Sequence, residues 1–305
     1  MRLSELSQPE FECRLKQGDL LIELPPFVTR LRSDVARAIG DLRLMYADFE
    51  LLPPDSFADF HIDVLREPGI RRWFKPMARF FHDGRPSFVP LPADHAFTMI
   101  EWGLNWCVAS HAHQYLVIHA AVLERGGRAV VMPAPPGSGK STLCAGLAHR
   151  GWRLLSDELA LYDMEAGLLY GMARPINLKN KSISVIRAFA PDAVLTESVP
   201  DTAKGTVALM RPSLSSVTQV RTPAQPGWIV LPKFVPGHPA SMERNDRSET
   251  LILMAEQSFN YHIHGERGFD AMVALVGCSS CYRFTYSDLD EADAAFTALA
   301  SGGGG

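Results

Sequence analysis

The sequence predicts an α/β protein in two parts, a larger α/β domain built around an anion-binding loop and a small α+β domain before it. Three observations carry that expectation. From residue 115 onward, short apolar runs of strand length are interleaved with stretches of helical spacing, the order from which α/β domains are built. Within that region the apolar run 128–132 leads into APPGSGKS at 134–141, so a strand feeds a glycine-rich loop and the loop opens a helix. Residues 1–100 mix strand and helix signals without that order. The division expected is a small α+β domain over 1–100, the α/β domain over 101–300, and a flexible glycine tail over 301–305.

The elements of the first part follow from local pattern. Apolar runs at 20–24 and 27–31 are broken by Pro25-Pro26, and Ser33-Asp34 can cap a helix over 35–46, because a short side-chain oxygen satisfies the free N–H groups at a helix start. Residues 57–64 alternate like a strand, and Asp83-Gly84 sits between 77–81 and 87–89 as a hairpin turn would. Phe97, Ile100, Trp102, Leu104, Trp106 and Cys107 give 94–111 a helical pattern that leads into the second part. There, Gly126-Gly127 separates 115–123 from 128–132 as a hairpin. A helix is expected at 140–150, strands at 153–155 and 228–235, and helices at 249–258, 268–276 and 288–300; no internal repeat is visible.

Composition excludes several classes. A chain of 305 residues that is 47% hydrophobic and 21% charged can bury a substantial core. A net charge of -4 gives no overall attraction to nucleic acid or to anionic lipid, so neither partner is expected. The five cysteines, Cys13, Cys107, Cys144, Cys278 and Cys281, are odd in number and scattered, which suits a reducing cytoplasm better than a disulfide framework. The opening residues lack the apolar segment of a signal peptide, and no run approaches the ~20 apolar residues of a membrane span. A cytoplasmic location is therefore expected.

The loop carries the clearest chemistry. Several consecutive backbone N–H groups must converge on phosphate oxygens, and Gly137 and Gly139 keep that approach free of a Cβ. Pro136, Gly137, Ser138, Gly139, Lys140, Ser141 and Thr142 are the expected phosphate-binding residues, with the helix at Lys140 aiming its positive dipole end at the anion. Lys140 would reach the β- and γ-phosphates, and Ser141 would ligate Mg²⁺. One departure is Ala134 at the position of the first glycine of the usual pattern. The ligand implied is a nucleoside triphosphate, with ATP and Mg²⁺ the expected pair.

Ser156-Asp157-Glu158 closes the strand at 153–155, one helix and a tight turn after the loop. The strand bearing these acids is expected beside the strand feeding the loop, which would bring Asp157 and Glu158 to the metal and the γ-phosphate. A carboxylate there can hold Mg²⁺, directly or through water, or accept the proton of an attacking hydroxyl. His119 lies on the strand before the loop, where spacing alone favours an ordinary core histidine.

The run His119-Ala120-Ala121-Val122, the loop APPGSGKS and the segment 150–158 together resemble the catalytic domain of HPr kinase/phosphorylase, with the histidine about fifteen residues before the loop. Phe259-Asn260-Tyr261 adds to that likeness. Over nearly all of 1–300 the chain is similar to the HPr kinase-related proteins of group A, through Glu101-Trp102-Gly103-Leu104-Asn105-Trp106, the stretch from Arg174 to Asn180, and Lys204-Gly205-Thr206-Val207. The resemblance implies a P-loop kinase domain of the HPr kinase/phosphoenolpyruvate carboxykinase type. It implies that Asp157 is the base for the acceptor hydroxyl, that His119 orients Asp157, and that Glu158 joins Ser141 and Asp157 at the metal. Arg174 and Lys179 are the candidates for neutralising charge on the transferring group, since phosphoryl transfer gains most from cations there. The family enzyme is hexameric, which leaves a homo-oligomer open.

Two smaller signals take an ordinary explanation. Cys278-Ser279-Ser280-Cys281 is a lone CxxC without a second pair, and His262 and His264 alternate like strand residues with no carboxylate fixed nearby. The leading expectation is an ATP-dependent kinase acting on a Ser or Thr hydroxyl of a protein or peptide. A small-molecule kinase and a nucleotide-dependent binding module are the alternatives.

Overall fold

A computed structural model describes residues 1–69 and 73–302; the rest of the expected tail lies outside the described residues. After a short 3-10 turn at Leu3–Glu5, helix α1 (Gln8–Gln17) is capped by the Ser7 hydroxyl and ends on Gly18, whose φ of +82° suits a residue without a Cβ. Strands β1 (Leu20–Leu24) and β2 (Phe27–Ser33) pair antiparallel across Pro25-Pro26. Helix α2 (Ala36–Met45), β3 (Leu51–Leu52), β4 (Phe60–Arg66), β5 (Met77–His82), β6 (Arg85–Pro86) and β7 (Leu91–Pro92) follow. The sheet runs β3-β1-β2-β4-β5-β6, with β7 also on β5. Strands β2 and β4 are parallel, so the chain must cross over between them, and α2 is that crossover. Helix α3 (Ala96–His111) buries Phe97, Ile100 and Leu104 in the same core as α1, α2 and the sheet.

Two local expectations need correction here. Ser33 and Asp34 do not cap α2: the Ser33 hydroxyl donates to the Val64 carbonyl at 2.7 Å, the Asp34 carboxylate takes the Arg66 guanidinium at 3.1 Å, and no side chain caps the helix. Asp83 and Gly84 do make the hairpin turn, with φ of 49° and 73°, but the partner strand is β6 at Arg85–Pro86 and not 87–89.

The second part begins with β8 (Leu116–Arg125), β9 (Arg128–Pro133), α4 (Lys140–His149), β10 (Arg153–Ser156), β11 (Leu159–Asp163) and β12 (Leu168–Tyr170). It continues through β13 (Ile176–Lys179), α5 (Lys181–Phe189), β14 (Val199–Thr202), β15 (Gly205–Met210), α6 (Leu214–Thr218) and β16 (Gln225–Phe234). It closes with β17 (Ser241–Arg244), α7 (Arg247–Glu256), α8 (Tyr261–Gly277), β18 (Ser280–Tyr286) and α9 (Leu289–Ser301). The main sheet runs β12-β11-β8-β9-β16-β18-β17, with β10 also on β8, and β13-β15-β14 form a separate small sheet. At its centre β9, β16 and β18 are parallel. Helices α4, α5 and α9 cover one face and α7 and α8 the other, so the protein is a mixed α/β structure. His262 and His264 lie on α8, not on a strand. Cys278 and Cys281 are free thiols, at the end of α8 and on β18. Among the described residues no helix is long and apolar enough to cross a membrane.

The acid-bearing strand β10 pairs with β8, so β8 separates it from β9, against the expectation that the acids lie beside the strand feeding the loop. Strand alternation then places His119. Val117 joins the N-terminal core, and Ala121 and Leu123 join the core under α4. Every second residue shares a face, so His119 faces the seam between those two cores.

Two glycines test this packing in opposite directions. Gly40, on the exposed face of α2, has open space where a Cβ would go, so Gly40→Ala should stabilise by about 0.5–1 kcal/mol through a smaller loss of chain entropy. Gly103 of α3 lies against the buried Phe80 ring, which a Cβ would overlap. The helix gain of about 1 kcal/mol is then outweighed by overpacking of about 1–3 kcal/mol, and Gly103→Ala should lower the melting temperature. A higher melting temperature for Gly103→Ala would contradict the placement of α3 on the N-terminal sheet.

Candidate active site

The loop between β9 and α4 is held by neighbours on both following strands. Gly137 and Gly139 have φ of +87° and +91°, conformations that L side chains rarely adopt. The Phe234 N–H donates to the Ser138 carbonyl at 2.9 Å, and the Tyr286 hydroxyl donates to the Gly139 carbonyl at 2.9 Å. A Cβ on Gly139 would stand 2.9 Å from Cβ of Phe234, so this close approach needs glycine as well. Ala134, in place of a glycine, is buried at the end of β9, while Pro136 is exposed and Ser141 and Thr142 are half-buried on the first turn of α4.

Lys140 opens that helix with only 8% of its surface exposed. Among the described residues its Nζ has no hydrogen-bond partner, and the buried Ser138 Oγ has none either. Burial pushes the Lys140 ammonium below its usual range, against the pull of Asp157 and Glu158. A buried cation and a hydroxyl beside a helix start are groups that suit a polyanion.

Strand β10 ends in a bend at Asp157 and Glu158, fixed by Ser156, whose hydroxyl accepts from the N–H groups of Glu158 and Leu159 at 3.3 and 3.0 Å. The bend lets two adjacent acids serve different surroundings. Asp157 is 4% exposed; its Oδ2 accepts the Asn177 N–H at 3.0 Å, the buried Cys144 thiol lies against its carboxylate, and its Oδ1 and the Asn177 Oδ1 have no close hydrogen-bond partner among the described residues. Burial, and then the neighbouring Glu158 charge, raise the Asp157 carboxyl, with Lys140 acting against them. For Glu158 burial acts upward too, but the His119 hydrogen bond and the charges of Lys179, Lys204 and Lys140 outweigh it and hold the carboxyl low. His119 Nε2 stands 3.5 Å from one Glu158 oxygen and Lys179 Nζ 3.8 Å from the other.

This geometry differs from the expected roles in three respects. His119 pairs with Glu158 and not with Asp157. Asp157 is the deeper acid, in the field of Lys140, whereas Glu158 faces an open cavity with His119. Arg174 is buried and held by Glu101 at 3.0 Å and by Asn105, both on α3, and Glu101 also accepts from the Tyr46 hydroxyl. Its guanidinium therefore fastens α3 to the second part of the chain and is not free to meet a transferring phosphoryl group. Lys179, by contrast, stays beside the acids.

A cavity of about 700 Å³ opens in front of His119 and Glu158, with Trp102 and Trp106 of α3 on one side and Phe259 and Ile263 at the start of α8 on the other. Asn260 fixes the second side: its Oδ1 accepts the Val117 N–H at 2.9 Å and its Nδ2 donates to the Tyr115 carbonyl at 2.8 Å. Lys204, between β14 and β15, also lines the cavity, with its Nζ 4.8 Å from the Trp102 ring centre, and burial lowers its ammonium. Trp102, Trp106, Lys204, Phe259 and His262 line this cavity and Asn177 touches Asp157, yet none of the six had a role readable from its residue type. All but His262 lie in the stretches that carry the family resemblance, which was the available signal.

The residues fit ATP and Mg²⁺. The unpartnered Lys140 Nζ and Ser138 Oγ suit phosphate oxygens, and the unpartnered Asp157 Oδ1 suits a hard cation with Ser141. Among the described residues no group of three or more His, Cys, Asp or Glu side chains forms a metal cage. Mg²⁺ at a phosphate site needs none, because it keeps waters and leans on one or two carboxylates and the phosphates themselves.

The protein is thus a mixed α/β structure with a glycine loop and a helix start beside two acids. Among solved structures, the Hpr(Ser) kinase/phosphatase from Coxiella burnetii is similar at 12% sequence identity, over 61% of this chain and 99% of that one, with a TM-score of 0.26. No family model matches the chain, and no curated protein does.

Two substitutions separate the buried cation without a hydrogen-bond partner from the one that holds the fold. Lys140→Met keeps the aliphatic stem and removes an unpaired buried charge, so the ligand-free variant should melt at or above the wild-type temperature. Arg174→Ala leaves the Glu101 carboxylate buried without its partner and should cost about 3–5 kcal/mol. Thermal melts without ligand check both; a drop of several degrees for Lys140→Met would mean that its ammonium is satisfied in the free protein.

Proposed function

We propose that the protein is an ATP-dependent phosphotransferase, on a P-loop domain of the HPr kinase type, that moves the γ-phosphoryl group to an alcohol. The observation that carries this is the buried, unpartnered Lys140 ammonium between the glycine loop and Asp157, with the His119–Glu158 pair opening onto the cavity beside it. The loop N–H groups and Lys140 would neutralise the β- and γ-phosphates, and Ser141 and Asp157 would hold Mg²⁺. Bound magnesium supplies charge neutralisation to phosphate oxygens.

Glu158 is the group that meets the acceptor. Held ionised, it can accept a hydrogen bond from the incoming hydroxyl and take its proton late, as suits a loose phosphoryl-transfer transition state. His119 positions Glu158 through the 3.5 Å contact, and Lys179 adds positive charge beside it. The roles first expected for Asp157 and Glu158 are exchanged in this scheme. The family resemblance points to a Ser or Thr side chain of a protein or peptide as acceptor, in a cytoplasmic setting; the shape of the cavity favours a small-molecule carrier of the hydroxyl.

Glu158→Gln should lower phosphoryl transfer by about 10²–10⁴-fold, the usual worth of general-base assistance, with MgATP binding kept. Asp157→Asn should instead raise the Mg²⁺ concentration needed for half-maximal rate. Initial rates titrated with Mg²⁺ decide between them. Rescue of Glu158→Gln by metal, with Asp157→Asn inactive at every concentration, would restore the opposite assignment, and a wild type that binds MgATP without any turnover would make the protein a binding module.

A further inference from the structure

We propose that the cavity before His119 and Glu158 is the acceptor site and that it takes a small alcohol whose hydroxyl is carried on a flat aromatic body; this rests on the phosphotransferase reading above. Its volume, about 700 Å³, lies within the roughly 300–1,000 Å³ typical of small-molecule sites. A folded protein surface is convex on that scale and would have to pass between α3 and the start of α8 to bring a side-chain hydroxyl to Glu158. A small molecule need not.

The walls say what kind of molecule fits. Trp106 is 36% exposed, yet its indole is wedged edge-on by the rings of His82, Phe88 and His111, at 5.6, 5.5 and 5.6 Å between centres. It is a fixed aromatic plate at the cavity. The same cavity is lined by Phe259, 44% exposed and tilted against His119 at 6.0 Å, and by Ile263, 54% exposed. Isolated apolar residues on a surface need no explanation, but these converge on one concavity that Glu158 and His119 also line. An aromatic body between such walls gains burial and offset or edge-on ring contacts, and its hydroxyl is left at the polar floor.

The step balances without any further reactant. The hydroxyl oxygen forms a bond to the γ-phosphorus, the bond from that phosphorus to the β–γ bridging oxygen breaks, ADP leaves with the electron pair, and the proton passes to Glu158. The proposal also gives the N-terminal part a task. Its helix α3 supplies Trp106, and the 3.0 Å pair of Glu101 on that helix with Arg174 ties it to the segment leading into β13.

The test uses the full chain with 2-phenylethanol and glycerol as probes. Saturation-transfer NMR in the presence of MgADP reads binding, and phosphorus NMR with MgATP reads formation of the phosphate ester. Phenyl signals from 2-phenylethanol are expected, with kcat/KM at least about tenfold above glycerol. Trp106→Ala should weaken that preference about tenfold or more, and Trp106→Phe should restore most of it, which a general folding defect would not do. Equal use of glycerol, an unchanged preference in Trp106→Ala, or faster phosphorylation of the peptide Gly-Gly-Ser-Gly-Gly than of 2-phenylethanol would each overturn the proposal. MgATP melting shifts on the same samples separate the two levels. If MgATP stabilises the protein and no aromatic preference exists, only the acceptor assignment falls; if MgATP gives no shift, the phosphotransferase assignment falls and this one with it.

Discussion

Burying an ammonium group without a hydrogen-bond partner costs stability, and Lys140 is held in that state by everything around it. Phe234 and Tyr286, from strands far along the chain, fix the carbonyls of Ser138 and Gly139 on one side. The bend after β10 sets Asp157 on the other side, close enough to act on Lys140 electrostatically but without an ion pair that would satisfy it. A helix start pointed at the same place adds a positive partial charge. Such an arrangement is unfavourable in isolation and becomes favourable with a polyanion bound, which is how a site preorganised for phosphate is expected to look in the free protein.

The second constraint is the buried pair of Arg174 and Glu101. Replacing such a pair by apolar groups is often harmless, while breaking it is not, so its value here is geometric. It fastens α3, which belongs to the N-terminal core, to the segment leading into β13, which carries Asn177 and Lys179. The two tryptophans of α3 and Glu158 after β10 thereby line one cavity. The N-terminal part is in this sense a wall of the site as well as a fold of its own.

Much of the architecture was legible in local pattern. Gly126-Gly127, Asp83-Gly84 and the glycine loop force particular backbone conformations, so their turns could be placed from residue type alone. Helical spacing likewise marked α3 and α9, and the glycine loop marked the helix α4 that follows it. What local pattern could not give was pairing partners. That β10 joins β8 and not β9, and that Ser33 turns to Val64 instead of capping α2, are decided by residues tens of positions away. The same limit governs the site. Loop residues 136–142 are contiguous and were readable, but the choice of His119 between Asp157 and Glu158 depends on a bend that only the assembled sheet produces. Arg174 was a cation of the right type near the acids in sequence, and its partner Glu101 could not be known without the tertiary fold. Trp106 and Lys204 carry no chemical signature alone and gain meaning only from facing the same cavity.

The central claim is that Lys140 and the glycine loop are built for the outer phosphates of a nucleotide, and calorimetric titration with ATP, ADP and AMP in the presence of Mg²⁺ tests it most directly. A site of this kind owes its affinity to the β- and γ-phosphates, so ATP and ADP should bind and AMP should bind at least about a hundredfold more weakly, a difference of roughly 2.7 kcal/mol at 1.36 kcal/mol per tenfold. AMP binding as tightly as ATP, or no binding by any of the three, would contradict it.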